Sequence, residues 1–222
     1  MDEYLERMYK NSKRHFYNKI EDHITNNKKM FIITANPETL MIAKKNELLN
    51  KILLSNIPII VADGIGIIKA GKMLKMNFKE RIPGIEIAIK LLDYSNKYSK
   101  RVYFFGATEE VMSGFVKKVQ EMYPNIVITG AKNGYDNDKE KTFEEIINIS
   151  PDIIFLGLGV PKQELLISEY YHKFNKGIFI GVGGTFDVLS GRKKRAPKMF
   201  IELNMEWLYR LFKEPWRFKR FF

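Results

Sequence analysis

Residues 153–164 read IIFLGLGVPKQE, and this stretch decides the fold class. Four large apolar residues come first without alternating polar positions, which is typical of a β-strand covered on both faces. Glycines follow at positions 157 and 159, and Pro161 then suits the first turn of a helix. A buried strand that runs through a glycine loop into a helix is the repeating unit of an α/β protein.

The same unit recurs along the chain. Short apolar runs predict six strands, at residues 30–34, 58–62, 102–105, 126–129, 153–156 and 178–182. Apolar residues spaced three and four apart predict helices between them, for example at 39–54, 109–123 and 163–174. The spacing of apolar and polar residues over 2–23 predicts one polar amphipathic helix before the first strand. This order predicts an α/β protein with a doubly wound, mainly parallel, Rossmann-like sheet and helices on both faces.

The composition limits what the protein can be. Its 222 residues suffice for one good-sized core with a small appendage. The absence of cysteine excludes disulfides and cysteine-bound zinc, and with three histidines we expect no histidine-rich metal site. The charged N-terminus lacks the apolar core of a secretory signal, and no apolar run reaches the length of about 18 residues that spans a bilayer. We therefore expect a cytoplasmic protein that neither spans nor crosses a membrane.

The net charge of +11 is concentrated near the C-terminus. Residues 192–222 contain ten Lys or Arg and three Glu, and eight aromatic residues lie between 200 and 222. Basic and aromatic residues at helical spacing are typical of an element on an anionic membrane surface. We therefore divide the chain into an α/β domain, residues 1–194, and a C-terminal membrane-associating helical appendage, residues 195–222. Within the appendage, we expect residues 200–208 to pack on the core and Pro215 to kink the helix.

Polar residues follow the predicted strands, where ligands of such folds bind. Asp63 suits either the N-cap of the next helix or a general base that deprotonates a sugar hydroxyl. Asn36 either forms an Asn-Pro turn or, together with Thr34, holds sugar hydroxyl or acetamido groups. Arg81 is either a surface residue or a guanidinium that stabilises a diphosphate leaving group.

Glycine loops follow several strands at the same edge. Gly106, Gly159 and Gly183 allow a ligand to approach the backbone closely, and helix-start N–H groups can hold a phosphate. Gln163 lies at a predicted helix start that faces this edge. The acidic stretch 136–138 could hold a divalent cation, but its polar surroundings favour a solvated turn. We therefore expect no required metal and no cofactor.

Six motifs, in this order and spacing, resemble the WecG/TagA/CpsF glycosyltransferases, also called glycosyltransferase family 26, and most of all the TagA N-acetylmannosaminyltransferase branch. They are 35–38 ANPE, 62–66 ADGIG, 81–84 RIPG, 105–107 FGA, 157–164 GLGVPKQE and 181–187 GVGGTFD. The resemblance covers residues 30–222. It implies inverting, metal-independent transfer of N-acetylmannosamine or a related sugar from UDP to undecaprenyl-diphosphate-linked N-acetylglucosamine. In the teichoic-acid branch this step builds the linkage unit of wall teichoic acid.

The same resemblance implies roles for individual residues. Asp63 is implied as the catalytic base, and Arg81 as a second catalytic residue, beside the pyrophosphate. The implied contacts in the sugar pocket are Thr34, Asn36 and Gln163.

The resemblance also implies contacts for the nucleotide and the acceptor. It implies a uridine contact in the loop that holds Tyr135, although Asp136 stands where we expect an aromatic residue. The appendage is implied to touch the membrane and help close the site. The implied contacts with the lipid diphosphate are Arg210, Arg217 and Arg220.

Two other classes of protein remain as alternatives. A dehydrogenase fingerprint would need glycine where Lys69 stands, and it would follow the first strand instead of the second. A non-enzymatic module for nucleic acid or lipid would carry its charge along a groove, whereas this excess is terminal and interleaved with tryptophan. We therefore expect a UDP-sugar donor, a polyprenyl-diphosphate acceptor and an anionic membrane surface as partners, and no nucleic acid. Peripheral association with the inner face of the cell membrane follows, and homo-oligomer formation is left open.

Overall fold

A computed structural model of the protein describes residues 2–135, 138–203 and 205–213. The strands are β1 (Lys29–Ala35), β2 (Pro58–Ala62), β3 (Arg101–Gly106), β4 (Val127–Lys132), β5 (Ile153–Gly157) and β6 (Gly177–Gly181). The first six helices are α1 (Asp2–Arg7), α2 (Lys13–Thr25), α3 (Pro37–Lys45), α4 (Glu47–Leu54), α5 (Ile65–Met73) and α6 (Gly84–Lys97). The others are α7 (Glu109–Met122), α8 (Lys139–Ile149), α9 (Lys162–Tyr170), α10 (Thr185–Leu189), α11 (Lys198–Glu202) and α12 (Glu206–Lys213).

The strands form one sheet in the order β2-β1-β6-β5-β3-β4. Every adjacent pair is parallel; Thr34 of β1, for example, lies opposite Val61 of β2. The doubly wound, mainly parallel sheet predicted from the sequence is therefore confirmed. Because all strands run the same way, the residues that follow them meet at a single edge of the sheet.

Helices cover both faces of this sheet. Side chains alternate along each strand, so that in β1 Phe31 and Ile33 pack into one core and Met30 and Ile32 into the other. The first core lies under α1, α3, α4, α5, α8 and α9, and the second under α2, α6, α7 and α10. Burial on both faces explains why the central strands are almost entirely apolar.

The edge strand β4 differs from the prediction. The run at 126–129 was expected to be buried on both faces, yet in β4 Val127 is 47% exposed and most other residues are only partly covered. The strand has one neighbour, β3, and Gly130 leaves room for the ring of Tyr103, which would lie 2.2 Å from an added Cβ. The prediction of a fully covered fourth strand is therefore wrong.

The N-terminal segment is also not one helix. Met8 leaves α1 to form a parallel bridge with Ile60, and the N–H of Tyr9 donates to the Ile60 carbonyl at 2.8 Å. Ser12 then caps α2 by accepting from the N–H of His15. The single helix predicted over 2–23 is therefore wrong, because edge pairing with β2 interrupts it. Asn46 similarly divides the predicted 39–54 helix, since its side chain caps α4.

The described part of the C-terminal segment contains the helices α11 and α12. Phe200 packs against Tyr209, with ring centroids 5.4 Å apart. Leu203 and Trp207 are 61% and 55% exposed, so the expected packing of 200–208 on the core is only partly correct. Pro215 lies outside the described residues. No described helix combines the length and the apolar character needed to cross a bilayer.

Candidate active site at the carboxyl edge of the sheet

The loops that follow the strands form one row. In sheet order it contains Asp63 after β2, Asn36 after β1, Gly183 after β6, Gly159 after β5 and Ala107 after β3. Adjacent strands lie about 4.8 Å apart, so the row is roughly 19 Å long. The fold thus brings together residues that are far apart in the chain, along a line long enough for an extended ligand.

Asp63 lies at the outer end of this row. Its N–H donates to the Ala35 carbonyl at 2.9 Å, and the N–H of Ile82 donates to the Ala62 carbonyl at 2.9 Å. The next helix, α5, takes Gly64 as its N-cap and has no side-chain cap. The half-buried Asp63 is therefore not the cap of α5, which was one of its two interpretations. Its position next to β1 is compatible with the other interpretation, an acid-base group.

Asn36 serves as a helix cap. Its Oδ1 accepts from the N–H of Thr39 at 3.0 Å, and its own N–H donates to the Thr39 hydroxyl, which forms a capping box at the start of α3. Because the same Oδ1 also accepts from the Thr39 hydroxyl at 3.3 Å, both of its lone pairs are used, and a ligand contact by Asn36 would have to use the amide nitrogen. The neighbouring Thr34 packs against the start of α6, where a Cβ added at Gly84 would lie 3.0 Å from its hydroxyl.

Gln163 is buried instead of projecting from the edge. Its Oε1 accepts hydrogen bonds from the N–H groups of Gly159, at 3.1 Å, and Gly183, at 3.2 Å. Its Nε2 donates to Oε1 of Glu164 at 2.8 Å. Both side chains are 3% exposed. Burial raises the pKa of Glu164 to about 7, opposed by the hydrogen bonds from Gln163 and from its own backbone N–H.

A cleft of about 300 Å³ lies beyond the ends of β3 and β5. Gly106 approaches β5 so closely that an added Cβ would lie 2.5 Å from the carbonyl carbon of Gly157, and its φ of +135° also favours glycine. Tyr135, at the mouth, is 76% exposed. The lining residues are Ala107, Gly134, Tyr135, Lys139, Gly157, Leu158 and Lys162.

Asn133, which the sequence analysis did not single out as a site residue, shapes this cleft. Its Nδ2 donates to Oε2 of Glu109 at 2.7 Å, and its Oδ1 accepts from the N–H of Tyr135 at 3.0 Å. The N–H of Gly134 donates to the Ala107 carbonyl at 2.9 Å. The only local signal is that an asparagine before a glycine is typical of a turn. These bonds hold the backbone of Tyr135 beside the cleft.

Arg81 is not an ordinary surface residue, because its side chain is only 13% exposed. Its Nη2 lies 3.9 Å from Oε2 of Glu206, a buried residue at the start of α12. Arg195 lies 3.9 Å from the same carboxylate and 3.8 Å from that of Glu86. These are ion pairs too long for good hydrogen bonds. They attach the C-terminal helices to the rim near Asp63, as the family resemblance implies, but sequence reasoning did not predict these ion pairs.

Only part of the predicted acceptor surface can be described. Arg217, Arg220 and the side chain of Arg210 lie outside the described residues. The described part of the appendage exposes four large apolar side chains, which are Met199, Leu203, Trp207 and Phe212.

The acidic stretch after Tyr135 is described only at its end. Asp136 and Asn137 lie outside the described residues. Asp138 caps α8, accepting from the N–H groups of Glu140 at 2.9 Å and Lys141 at 3.3 Å. Among the described residues, no three Asp, Glu or His side chains are grouped to hold a metal ion. Independence from metal stays a prediction.

Comparison with known proteins assigns the family. A sequence profile described as "Glycosyl transferase WecG/TagA/CpsF family" matches residues 6–222. The N-acetylglucosaminyldiphosphoundecaprenol N-acetyl-beta-D-mannosaminyltransferase of Bacillus subtilis is 40% identical over 206 residues, which cover 92% of this chain and 80% of the relative. The proteins of the same name from Bacillus spizizenii and Staphylococcus aureus are 38% and 39% identical, covering 89% and 84% of this chain and 77% and 72% of their own. Because the profile spans almost the whole sequence and the motifs lie together on one edge, this chain belongs to the WecG/TagA/CpsF family of glycosyl transferases.

Proposed function

We propose that this chain is an inverting transferase that moves N-acetylmannosamine from UDP-N-acetylmannosamine to undecaprenyl-diphosphate-linked N-acetylglucosamine, in synthesis of the wall teichoic acid linkage unit. The names of the three relatives support the transferred sugar and the lipid-linked acceptor. The observation that carries the proposal is the place of Asp63. This carboxylate is not the cap of the helix that follows it, and it stands at the rim that Arg81 and the C-terminal helices share.

Asp63 acts as the general base. Its carboxylate takes the proton from the acceptor hydroxyl while that oxygen forms a bond to the anomeric carbon of the donor sugar. The bond from the anomeric carbon to the phosphate oxygen breaks in the same step, and UDP leaves with the electron pair. Attack from the side opposite the leaving group inverts the anomeric centre.

Positive groups stabilise the departing diphosphate. Arg81 and Arg195 both lie near the carboxylate of Glu206, and Arg195 and Lys13 both lie near that of Glu86, so these five groups keep one net positive charge. Guanidinium groups suit a diphosphate because their planar N–H groups match its oxygens. The N–H groups of Gly159 and Gly183 donate to Gln163, and other backbone N–H groups of the loops after β5 and β6 supply further donors, so no metal is needed.

The cleft beyond β3 and β5 binds the nucleotide. It lies about three to four strand spacings, roughly 14–19 Å, from the end of β2. An extended nucleotide sugar placed along the row would therefore bring its sugar toward Asp63. Tyr135 supplies an aromatic face for the uracil, and Lys139 and Lys162 add positive charge at the mouth. Thr34 and Asn36 lie between the cleft and Asp63, where they contact the sugar.

The appendage, residues 195–222, brings the catalytic domain, residues 1–194, to the inner face of the cell membrane. The exposed side chains of Trp207 and Phe212 and the basic residues of the tail suit an anionic bilayer. Arg210, Arg217 and Arg220 then contact the lipid diphosphate of the acceptor.

The test of the base is Asp63→Asn. This change keeps the size of the side chain and removes its basicity, so we expect turnover to fall by about 10²–10⁴-fold while UDP binding stays within about twofold. The control is Asp22→Asn, on the exposed face of α2 and away from the edge, which should be fully active. Near-normal transfer by the Asp63 variant would refute the assignment.

A donor screen tests the sugar. Purified protein is offered UDP-N-acetylmannosamine, its uronic acid and UDP-N-acetylglucosamine with a lipid-diphosphate N-acetylglucosamine acceptor, with and without EDTA. We expect transfer from the first donor and no effect of EDTA. Transfer only from the uronic acid or another UDP-sugar would replace the substrate but keep the family reaction.

Vesicle flotation tests the membrane contact. We expect the protein to float with vesicles that contain anionic lipid, and the double variant Trp207→Glu/Phe212→Glu to float less. A Glu202→Gln variant, changed at an exposed position of α11, serves as the control. Flotation that is equal for all three proteins would contradict a role for α12. Binding to DNA without binding to vesicles would favour a nucleic-acid partner instead.

A further inference from the structure

The start of α9 contains two buried polar side chains that hold each other. Gln163 and Glu164 are both 3% exposed, and the amide Nε2 of Gln163 donates to the Oε1 of Glu164 at 2.8 Å. The other Glu164 oxygen, Oε2, has no hydrogen-bond partner among the described residues. An acid buried in this way costs free energy that an apolar residue would not. A buried acid next to the loops of the candidate site therefore suggests that this side chain has a role in the site.

The carboxylate determines which way the Gln163 amide faces. Oε1 of Gln163 accepts two backbone hydrogen bonds, from Gly159 and Gly183. If the amide were turned by half a rotation, its NH₂ group would face those two N–H donors and all three bonds would be lost. The acceptor offered by Glu164 favours the observed orientation, because only Nε2 can donate to it.

The two glycines belong to the loops that follow β5 and β6. Both adopt positive φ, +78° at Gly159 and +48° at Gly183, and both donate to the same oxygen. A Cβ added at either position would meet no described atom within 4 Å. Each loop is therefore bonded to Gln163 through the glycine N–H and has open space beside the glycine Cα. A Cβ at Gly181, in contrast, would lie 2.2 Å from Nε2 of Gln163, so the amide is packed against β6.

We propose that Glu164 is a positioning residue that acts through Gln163. Together they hold the loops after β5 and β6 in the shape that presents backbone N–H groups to the donor diphosphate, and neither side chain contacts the sugar. This inference rests on the proposed function, and it replaces the sugar contact that the family resemblance implies for Gln163. Three hydrogen-bonding groups, one each from the loop after β5, the loop after β6 and the start of α9, depend on this one amide.

A set of variants at the two positions separates positioning from direct contact. Glu164→Leu and Gln163→Leu each remove the pair, and we expect each to lower kcat/KM by about tenfold to a hundredfold, with a weaker affinity for UDP. The double Leu variant should be no worse than either single one, because both changes remove the same unit. The conservative Glu164→Gln keeps an acceptor for Nε2 and should stay within about threefold of the wild type.

The exchange variant, Gln163→Glu with Glu164→Gln, distinguishes most clearly between positioning and a direct sugar contact. A carboxylate at 163 can still accept from both glycine N–H groups, and the amide at 164 can donate to it. We therefore expect the exchange to recover most of the activity lost in Gln163→Leu. Glu169→Leu, on the exposed side of α9, is the control and should be fully active.

Two results would overturn the proposal. One is an exchange variant as inactive as Gln163→Leu, since a sugar contact needs the amide at 163 itself. The other is Glu164→Leu with normal kcat and KM. If the Leu variants do not fold, the exchange variant still decides the question by comparison with the wild type, because activity near that of the wild type supports positioning and a loss of about tenfold or more overturns it.

Calorimetric titration with UDP and amide hydrogen exchange at Gly159 and Gly183 keep this test separate from the proposed transfer reaction. Both readouts need no acceptor. Suppose that the wild type does not transfer N-acetylmannosamine but that the rate of amide hydrogen exchange in the two loops still depends on Glu164. This result would reject the proposed function and leave the loop-positioning part standing. If Glu164→Leu leaves both the amide hydrogen exchange rates of the loops and the affinity for UDP unchanged, the positioning role is rejected, whatever the substrate is.

Discussion

The buried Glu164 should make the stability of this protein depend on pH in a defined direction. Burial raises its pKa to about 7 from an ordinary value of 4.5, and Gln163 together with the residue's own N–H opposes part of that rise. Between these two pH values the folded protein holds a proton that the unfolded chain has lost. The stabilising contribution is therefore fully present below pH 4.5 and is lost as the pH rises through about 7.

The size of the effect follows from the difference between the two pKa values. About 1.4 kcal/mol corresponds to each tenfold change in an equilibrium constant, so the wild type should lose about 3 kcal/mol across this range. Glu164→Gln cannot ionise, and its amide can still accept the bond from Gln163. We expect the free energy of unfolding of this variant, minus that of the wild type, to rise by about 3 kcal/mol between pH 4.5 and pH 7.5.

Urea unfolding of both proteins at half-unit steps of pH measures this difference. Burial, and secondarily Lys19, lower the pKa of His23, which gives an opposite slope near neutral pH. That slope is common to both proteins and cancels in the difference. The exposed Glu169→Gln should stay parallel to the wild type at every pH. A difference between Glu164→Gln and the wild type that stays flat within about 0.5 kcal/mol would refute the reasoning.

Three further predictions concern packing and the C-terminal helices. Phe186→Ala should cost about 3–5 kcal/mol in urea unfolding, because this 1% exposed ring packs against two other rings of the second core. Gly106→Ala should destabilise by more than about 1 kcal/mol, whereas Gly114→Ala, inside α7 with only a 3.8 Å neighbour, should stabilise by up to about 1 kcal/mol in thermal unfolding. Glu206→Gln should speed proteolytic cleavage within 195–213, since it removes the anion between two arginines; unchanged cleavage would show that these ion pairs do not hold α12.

Most of the sheet could be predicted because a strand that is buried on both faces has a local sequence pattern, a short run of apolar residues. Five of the six apolar runs are strands of which most residues are buried, and their order with the helices predicts the α/β class. The full burial predicted for the edge strand β4 is wrong, since an apolar run does not reveal how many neighbours a strand has. The single helix predicted at 2–23 failed for a related reason, because the bridge from Met8 to Ile60 depends on which strand forms the edge.

The row of candidate site residues was predictable because parallel strands all end at the same edge. Position alone placed Asp63 and the glycine loops there, since each directly follows a strand. Position did not reveal what each side chain does. The capping role of Asn36 and the burial of Gln163 depend on partners that local spacing leaves open.

The amino-acid sequence by itself therefore determined the alternation of strands and helices, the glycine loops and the family motifs, since these are local patterns of polarity and chain flexibility. The tertiary structure alone decided the order of the strands, the orientation of the Gln163 amide and the attachment of Glu206 to Arg81. These features depend on contacts between residues far apart in the chain. Such contacts form only when the helices pack on both faces of the sheet and bring those residues side by side.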